Sequence, residues 1–187
     1  MTTSRWRAAS PCGPGSTATT ATIDSKEALA TTSSWAASAT TYSGRDLLIG
    51  GTGADRIVGN ADDDILIAGS TAFDANDRAL CAIMAEWTSG REYAQRCANL
   101  RGTGTGTDFA NRRNGNVFLR NGDEFLGAVA TVHDDNAEDT LTGSSGQDWF
   151  FANLFLDHSD DAARKDKITD LHAAEFALDI DFINSDV

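Results

Sequence analysis

Apolar residues along this chain follow two patterns. Between residues 41 and 67 they come in short runs nine residues apart: Leu47-Leu48-Ile49, Ile57-Val58 and Ile65-Leu66-Ile67, separated by polar, glycine-rich stretches. Three-residue strands joined by six-residue turns fit that spacing. In each strand the central side chain (Leu48, Ile57, Leu66) points to one face and its neighbours to the other. Those neighbours differ. They are Leu47, Ile49, Ile65 and Ile67 in the first and third units, but Arg56 and Val58 in the second. Over residues 74–100 the period changes to about 3.6. Asn76 or Asp77 can cap a helix in which Leu80, Ile83, Met84 and Trp87 share one face. Thr88-Ser89-Gly90 breaks it, Ser89 can cap again, and Tyr93, Cys97 and Leu100 mark a second helix ending at Gly102. The aromatic and methionine stripe of this helical hairpin reads as core rather than as a cofactor box.

The remaining stretches give weaker patterns. Residues 103–116 read as a loop whose Arg112 and Arg113 are solvated. Val117-Phe118-Leu119, Asn121-Gly122 and Phe125-Leu126 have the form of a β-hairpin, and residues 129–132 of a further strand. The nine-residue phase then returns at Asp139-Thr140-Leu141-Thr142 and Gly143-Ser144-Ser145-Gly146-Gln147-Asp148-Trp149-Phe150-Phe151. Residues 1–40, rich in Thr, Ser and Ala, lack the apolar surface needed to offset ordering entropy and predict a disordered leader. The domain organisation expected is therefore leader 1–40, repeats 41–67, insertion 68–133, repeats resumed over 134–151, and a capping segment 152–187.

The turns carry the chemistry. Written in nines, the first block is TYSGRDLLI, GGTGADRIV, GNADDDILI, with Asp46, Asp55 and Asp64 always at the sixth place. Glycine suits the turn because it accepts positive φ without a Cβ penalty. Stacked turns would bring carboxylates and backbone carbonyls together, the hard oxygen ligands that Ca²⁺ takes in sixes to eights. The middle unit matches G-G-x-G-x-D-x-U-x in full. On these residues the chain resembles the RTX, or haemolysin-type, calcium-binding repeat family. The fold this implies is mainly β: a short parallel β-roll of nonapeptide repeats, interrupted by a helical hairpin plus β-hairpin insertion. Unit one departs from the pattern with Thr41-Tyr42-Ser43, and unit three has Asp62 where a turn glycine is expected.

The resemblance also implies a ligand set: Asp46, Asp55, Asp64, Asp139 and Asp148, with Gly44, Gly50, Thr52, Gly53, Gly59, Ala61, Asp62, Gly143 and Gly146 in the turns. In a β-roll, alternate units lie on opposite sheets. One sheet, carrying Leu47 and Ile65, is then apolar on its outer side and needs the helical hairpin as a cover. If the insertion leaves and returns at one turn, Thr140–Thr142 continues the sheet of Arg56, and Trp149 and Phe151 continue that of Leu47. The columns expected from this register pair Asp46 with Asp64, Asp55 with Asp139, and Asp64 with Asp148. An EF-hand over 134–145 fails, since Asp139 stands where that loop needs glycine.

Charge sharpens this picture. The 187 residues carry a net charge of −13, which argues against nucleic acid as a partner. Facing carboxylates repel by roughly 1–4 kcal/mol per pair at about 4 Å, so the roll should fold poorly until a cation enters. No apolar run is long enough to span a membrane, and no signal-peptide pattern opens the chain. Cys12, Cys81 and Cys97 show no metal-ligand spacing. Two buried thiols at Cys81 and Cys97 are the preferred reading, a bond between them the alternative. No catalytic constellation is found: His133, His158 and His172 are scattered, and Asp134-Asp135 and Asp160-Asp161 are adjacent carboxylates. The tail, with Lys165-Asp166-Lys167-Ile168 and the alternating acidic and apolar end at 181–187, is similar to segments that follow the roll in exported RTX enzymes. The reading is a secreted, extracellular calcium-binding module without catalysis of its own, served by a type I secretion apparatus and with no protein partner identified. The alternative is the carboxy-terminal part of a larger exported hydrolase or adhesin in which the insertion mediates recognition.

Overall fold

The computed structural model describes residues 38–40, 44–121, 129–154 and 165–179. Its strands alternate between two parallel four-stranded sheets, the arrangement of a β-roll. One sheet is ordered β1 (Ser38–Thr40), β3 (Arg56–Ala61), β7 (Thr140–Ser145), β9 (Lys167–Ile168). The other is ordered β2 (Leu47–Ile49), β4 (Ile65–Ile67), β8 (Trp149–Ala152), β10 (Phe176–Asp179). Arg56 pairs with Thr140 and Ile65 with Trp149, the alignment that the apolar and polar outer positions call for.

Burial follows from which sheet is covered. The inward residues Leu48, Ile57, Leu66, Leu141 and Phe150 are all buried. In the first sheet Arg56 is exposed and Thr140 and Thr142 are half-buried, while Val58 is buried. In the second, β4 and β8 are buried at every position, because helices lie on their outer side. Trp87 packs on Trp149 with ring centroids 6.1 Å apart, Trp149 on Phe151 at 4.7 Å, and Trp87 edge-on to Tyr93 at 5.8 Å. A strand buried on both faces can be apolar throughout.

The helices are α1 (Asp77–Trp87) and α2 (Tyr93–Arg101). Asn76 caps α1, its side chain accepting from Ala79 N–H. The cap of α2 is Glu92, not Ser89: Gln95 Oε1 accepts from Glu92 N–H, and left-handed Gly102 closes the helix. The stretch expected as loop over 103–116 contains a short helix, α3 (Gly106–Ala110). Fully buried Glu86 joins these parts, accepting from Asn99 Nδ2 at 2.7 Å, Arg91 Nη1 at 3.2 Å and Arg113 N–H at 2.7 Å. A buried carboxylate with three donors is stable where a lone one would not be.

The chain enters and leaves this helical region through β5 (Ser70–Thr71) and β6 (Val132–His133), which pair antiparallel. Two expectations are corrected here. Val117–Leu119 forms no strand; Leu119 N–H instead bonds to Leu100 O at 2.8 Å. Cys81 is disulfide-bonded and Cys97 is a free, buried thiol, so the two do not pair and are not both thiols. The leader up to residue 37, Gly122 of the expected turn with Phe125-Leu126, His158, Asp160-Asp161 and the end at 181–187 lie outside the described residues.

Covering the apolar sheet sets a scale. Removing a fully buried large aromatic costs roughly 3–5 kcal/mol, whereas exposed positions change stability by about 0.5 kcal/mol or less. Trp149→Ala should therefore lower the urea midpoint of the calcium-saturated protein sharply, and Arg56→Ala should leave it nearly unchanged.

Candidate metal centre

The turns owe their shape to a repeated backbone choice. In units 50–58, 59–67 and 143–151 the second and fourth places adopt positive φ: Gly51 (95°) and Gly53 (98°), Asn60 (78°) and Asp62 (70°), Ser144 (78°) and Gly146 (141°). Asn and Asp tolerate the left-handed region better than most residues, so Asp62 completes its turn, and its carboxylate also accepts from Gly44 N–H at 3.0 Å. The first place is glycine for a different reason. A Cβ at Gly59 would lie 2.2 Å from Asp64 Oδ2, and one at Gly143 would lie 2.2 Å from Asp148 Oδ2. The carboxylate of place six folds back over place one.

Stacking then forms two columns. In one, Asp46 N–H donates to Asp64 Oδ1 at 2.8 Å and Asp64 N–H donates to Asp148 Oδ1 at 2.8 Å. In the other, Asp55 N–H donates to Asp139 Oδ1 at 2.5 Å and Asp139 N–H to Asp166 Oδ1 at 2.8 Å. The structure thus brings together Asp46 with Asp64, Asp64 with Asp148, and Asp55 with Asp139. Of the other turn residues, Gly50 sits against Asp55, exposed Thr52 lies between Gly51 and Gly53, and Ala61 pairs with Ser145 in the sheet.

Asp166 uses both oxygens, its Oδ2 accepting from Asn153 N–H at 2.7 Å, but Asp64, Asp139 and Asp148 each use one in this ladder. The second is different: Asp64 Oδ2, Asp139 Oδ2 and Asp148 Oδ2 are buried without a hydrogen-bond partner, and all three residues are 0% exposed. Burial raises their pKa values, since it disfavours the charged form. Asp64 is pushed to about 9 by desolvation, helped by the charges of Asp148, Asp46 and Asp62 and opposed by the Asp46 amide. Desolvation likewise takes Asp139 to about 7 and Asp148 to about 6. Asp63 shows the opposite balance: burial pulls it up, but bonds from Arg96 and the Gln147 amide, with the charges of Arg96 and Arg45, hold it below the usual carboxylate range.

Sequence reasoning missed four acids of these turns. Asp166 extends the second column and lies 27 residues after Asp139, in phase with the repeat. Glu175, one nonapeptide further, immediately precedes β10; its side chain is bonded to His172 N–H at 2.6 Å. Asp135 accepts from Gly53 N–H at 2.5 Å, and Asp63 accepts from Gln147 N–H at 2.9 Å. For Asp166 and Glu175 the nine-residue phase was the available signal, hidden because no glycines accompany it.

Orphaned buried carboxylate oxygens in an all-oxygen setting fit a hard divalent cation. Among the described residues no three His, Cys, Asp or Glu side chains converge into a chelating group, so backbone carbonyls of the turns would have to complete any coordination shell. The two parallel sheets and these columns are consistent with a β-roll. Residues 40–71 and 131–157 match the family model of the RTX calcium-binding nonapeptide repeat, in four copies. The chain carries RTX repeats, and Ca²⁺ is the ion that such repeats bind. No curated protein and no solved structure matches the chain.

The pH dependence of the calcium-free chain follows from these shifts. The folded-state values, about 6 to 9, exceed the roughly 3.9 of an unfolded aspartate. The folded state therefore holds extra protons between those limits, and their stabilisation is full below about pH 4 and lost as pH rises through 6 to 9. In chelator, the urea midpoint should fall from about pH 5 to about pH 8, a trend that calcium should abolish. A calcium-free midpoint that climbs over this range would contradict the burial of these carboxylates.

Proposed function

We propose that the chain is an exported calcium-responsive module, folding when it meets extracellular Ca²⁺ and performing no catalysis of its own. One observation carries this reading: Asp64, Asp139 and Asp148 are wholly buried, each with one oxygen accepting from the coil before it and one without a partner. In the absence of a cation these groups either stay charged at a desolvation cost or take up protons. With Ca²⁺ both penalties disappear, and binding energy becomes folding energy. Calcium sites of extracellular modules work at about 10⁻⁴–10⁻³ M, so such a chain would remain loose inside a cell and fold outside it.

Export through a type I secretion apparatus belongs to the same reading. Support comes from the RTX repeats and from the disulfide at Cys81, a bond that persists in oxidising compartments. No described helix is long and apolar enough to cross a membrane. Asp46, Asp55, Asp64, Asp139 and Asp148 are the carboxylate ligands in this proposal.

Circular dichroism in chelator and then in calcium tests it. The β signal should rise on calcium addition. Asp64→Ala removes a ladder acceptor and a ligand at once, and should move the calcium midpoint upward by about tenfold or more, the equivalent of roughly 1.4 kcal/mol. A spectrum identical in chelator and calcium would end the proposal.

A further inference from the structure

The two columns have different neighbours. Trp87 Nε1 donates to Asp63 O at 2.8 Å, and Arg96 bonds the Asp63 carboxylate. Tyr93 Oη donates to Asp148 O at 2.6 Å. Arg45 ties the hairpin back to the same turn, donating to Ser89 O at 2.9 Å with its other nitrogen 3.4 Å from Asp63 Oδ2. Arg96 itself is 1% exposed, lies 4.6 Å over the Trp87 ring and donates to Trp87 O at 3.0 Å. These bonds from α1 and α2 end on the turns of Asp64 and Asp148. The turn at 50–55 is bonded instead to the turn at 134–139, through Gly53 to Asp135 and Asp55 to Asp139.

We propose that the α1–α2 hairpin is a clamp on one column alone, holding the Asp64 and Asp148 turns in the form that takes up Ca²⁺. The clamp fixes backbone at the fifth and sixth places and leaves Asp64 Oδ2 and Asp148 Oδ2 unbonded, so it shapes the site without using its ligand oxygens. A turn already ordered by packing loses less entropy when an ion binds. The coupling is reciprocal: what the hairpin adds to calcium affinity at that column, calcium adds to the docking of the hairpin. Tyr93 and Arg96 are thus positioning residues for one column and not for the other. This inference rests on the calcium reading above.

Amide NMR of the full chain during a calcium titration separates the columns. Gly143 and Gly146 report the clamped column, Gly51 and Gly53 the other. Tyr93→Phe removes a single hydroxyl and keeps the ring in the core. It should raise the calcium midpoint at Gly143 and Gly146 about three- to tenfold, the effect of one net hydrogen bond, and leave Gly51 and Gly53 where they are in the parent. Arg96→Met should do the same more strongly; if it does not fold, Tyr93→Phe decides. In Asp139→Asn the pattern should invert. Equal shifts at all four glycines, or none in Tyr93→Phe, would overturn the clamp while leaving calcium binding intact. A parent chain whose spectrum ignores calcium would overturn both.

Discussion

Everything in this molecule follows from stacking like charges in a place without water. Each coil of the roll sets a carboxylate above that of the coil before, in a column sealed by glycine turns on one side and strands on the other. The ladder from amide to Oδ1 satisfies half of Asp64, Asp139 and Asp148 and fixes their position. It cannot neutralise them, because every donor in the ladder is a peptide amide with no net charge. Two unit charges at about 4 Å repel by roughly 4 kcal/mol at an effective dielectric of 20. A divalent cation between turns reverses the sign of that interaction, which a proton can only cancel.

The insertion answers a second constraint. The strands that begin after Asp46, Asp64 and Asp148 carry apolar side chains on both faces, including Trp149 and Phe151, both 0% exposed. Left open, that sheet would present a greasy outer surface. The helical hairpin covers it with Ile83, Trp87, Tyr93 and Leu100, all in the same core cluster. The antiparallel pairing of Ser70 with His133 lets the chain step out and return beside its point of departure. Strand β7 can then pair with β3 as if no residues stood between β4 and β7.

Much of this was legible in the sequence. The period of nine, the sixth-place acid and the contrast between Arg56 and Ile65 placed the strands in register and marked the sheet in need of a cover. The parts that were not legible depend on contacts rather than on period. Glu92 displaced Ser89 as a helix cap because Gln95 stands three residues later to return the bond, a signature with glutamate where serine or threonine is usual. Helix α3 is a single short turn whose glycine start reads as loop. The bonded state of Cys81 follows from three-dimensional proximity that spacing does not encode. The coils holding Asp166 and Glu175 were overlooked because the turn before them has lost its glycines.

That loss separates two requirements that the repeat motif mixes. Across the coils the glycine places are taken by Asn60, Asp62 and Ser144, each at positive φ, and at 170–174 glycine is absent altogether. A left-handed residue other than glycine costs about 1–2 kcal/mol, an amount a folded coil can absorb. The sixth place is never given to a neutral residue: it is Asp46, Asp55, Asp64, Asp139, Asp148, Asp166 and Glu175 in the described coils. If turn geometry were the governing need, glycine would persist and the acid would vary. The acid persists, although in the calcium-free chain it is the most costly group to bury, which accords with the calcium binding proposed for these coils.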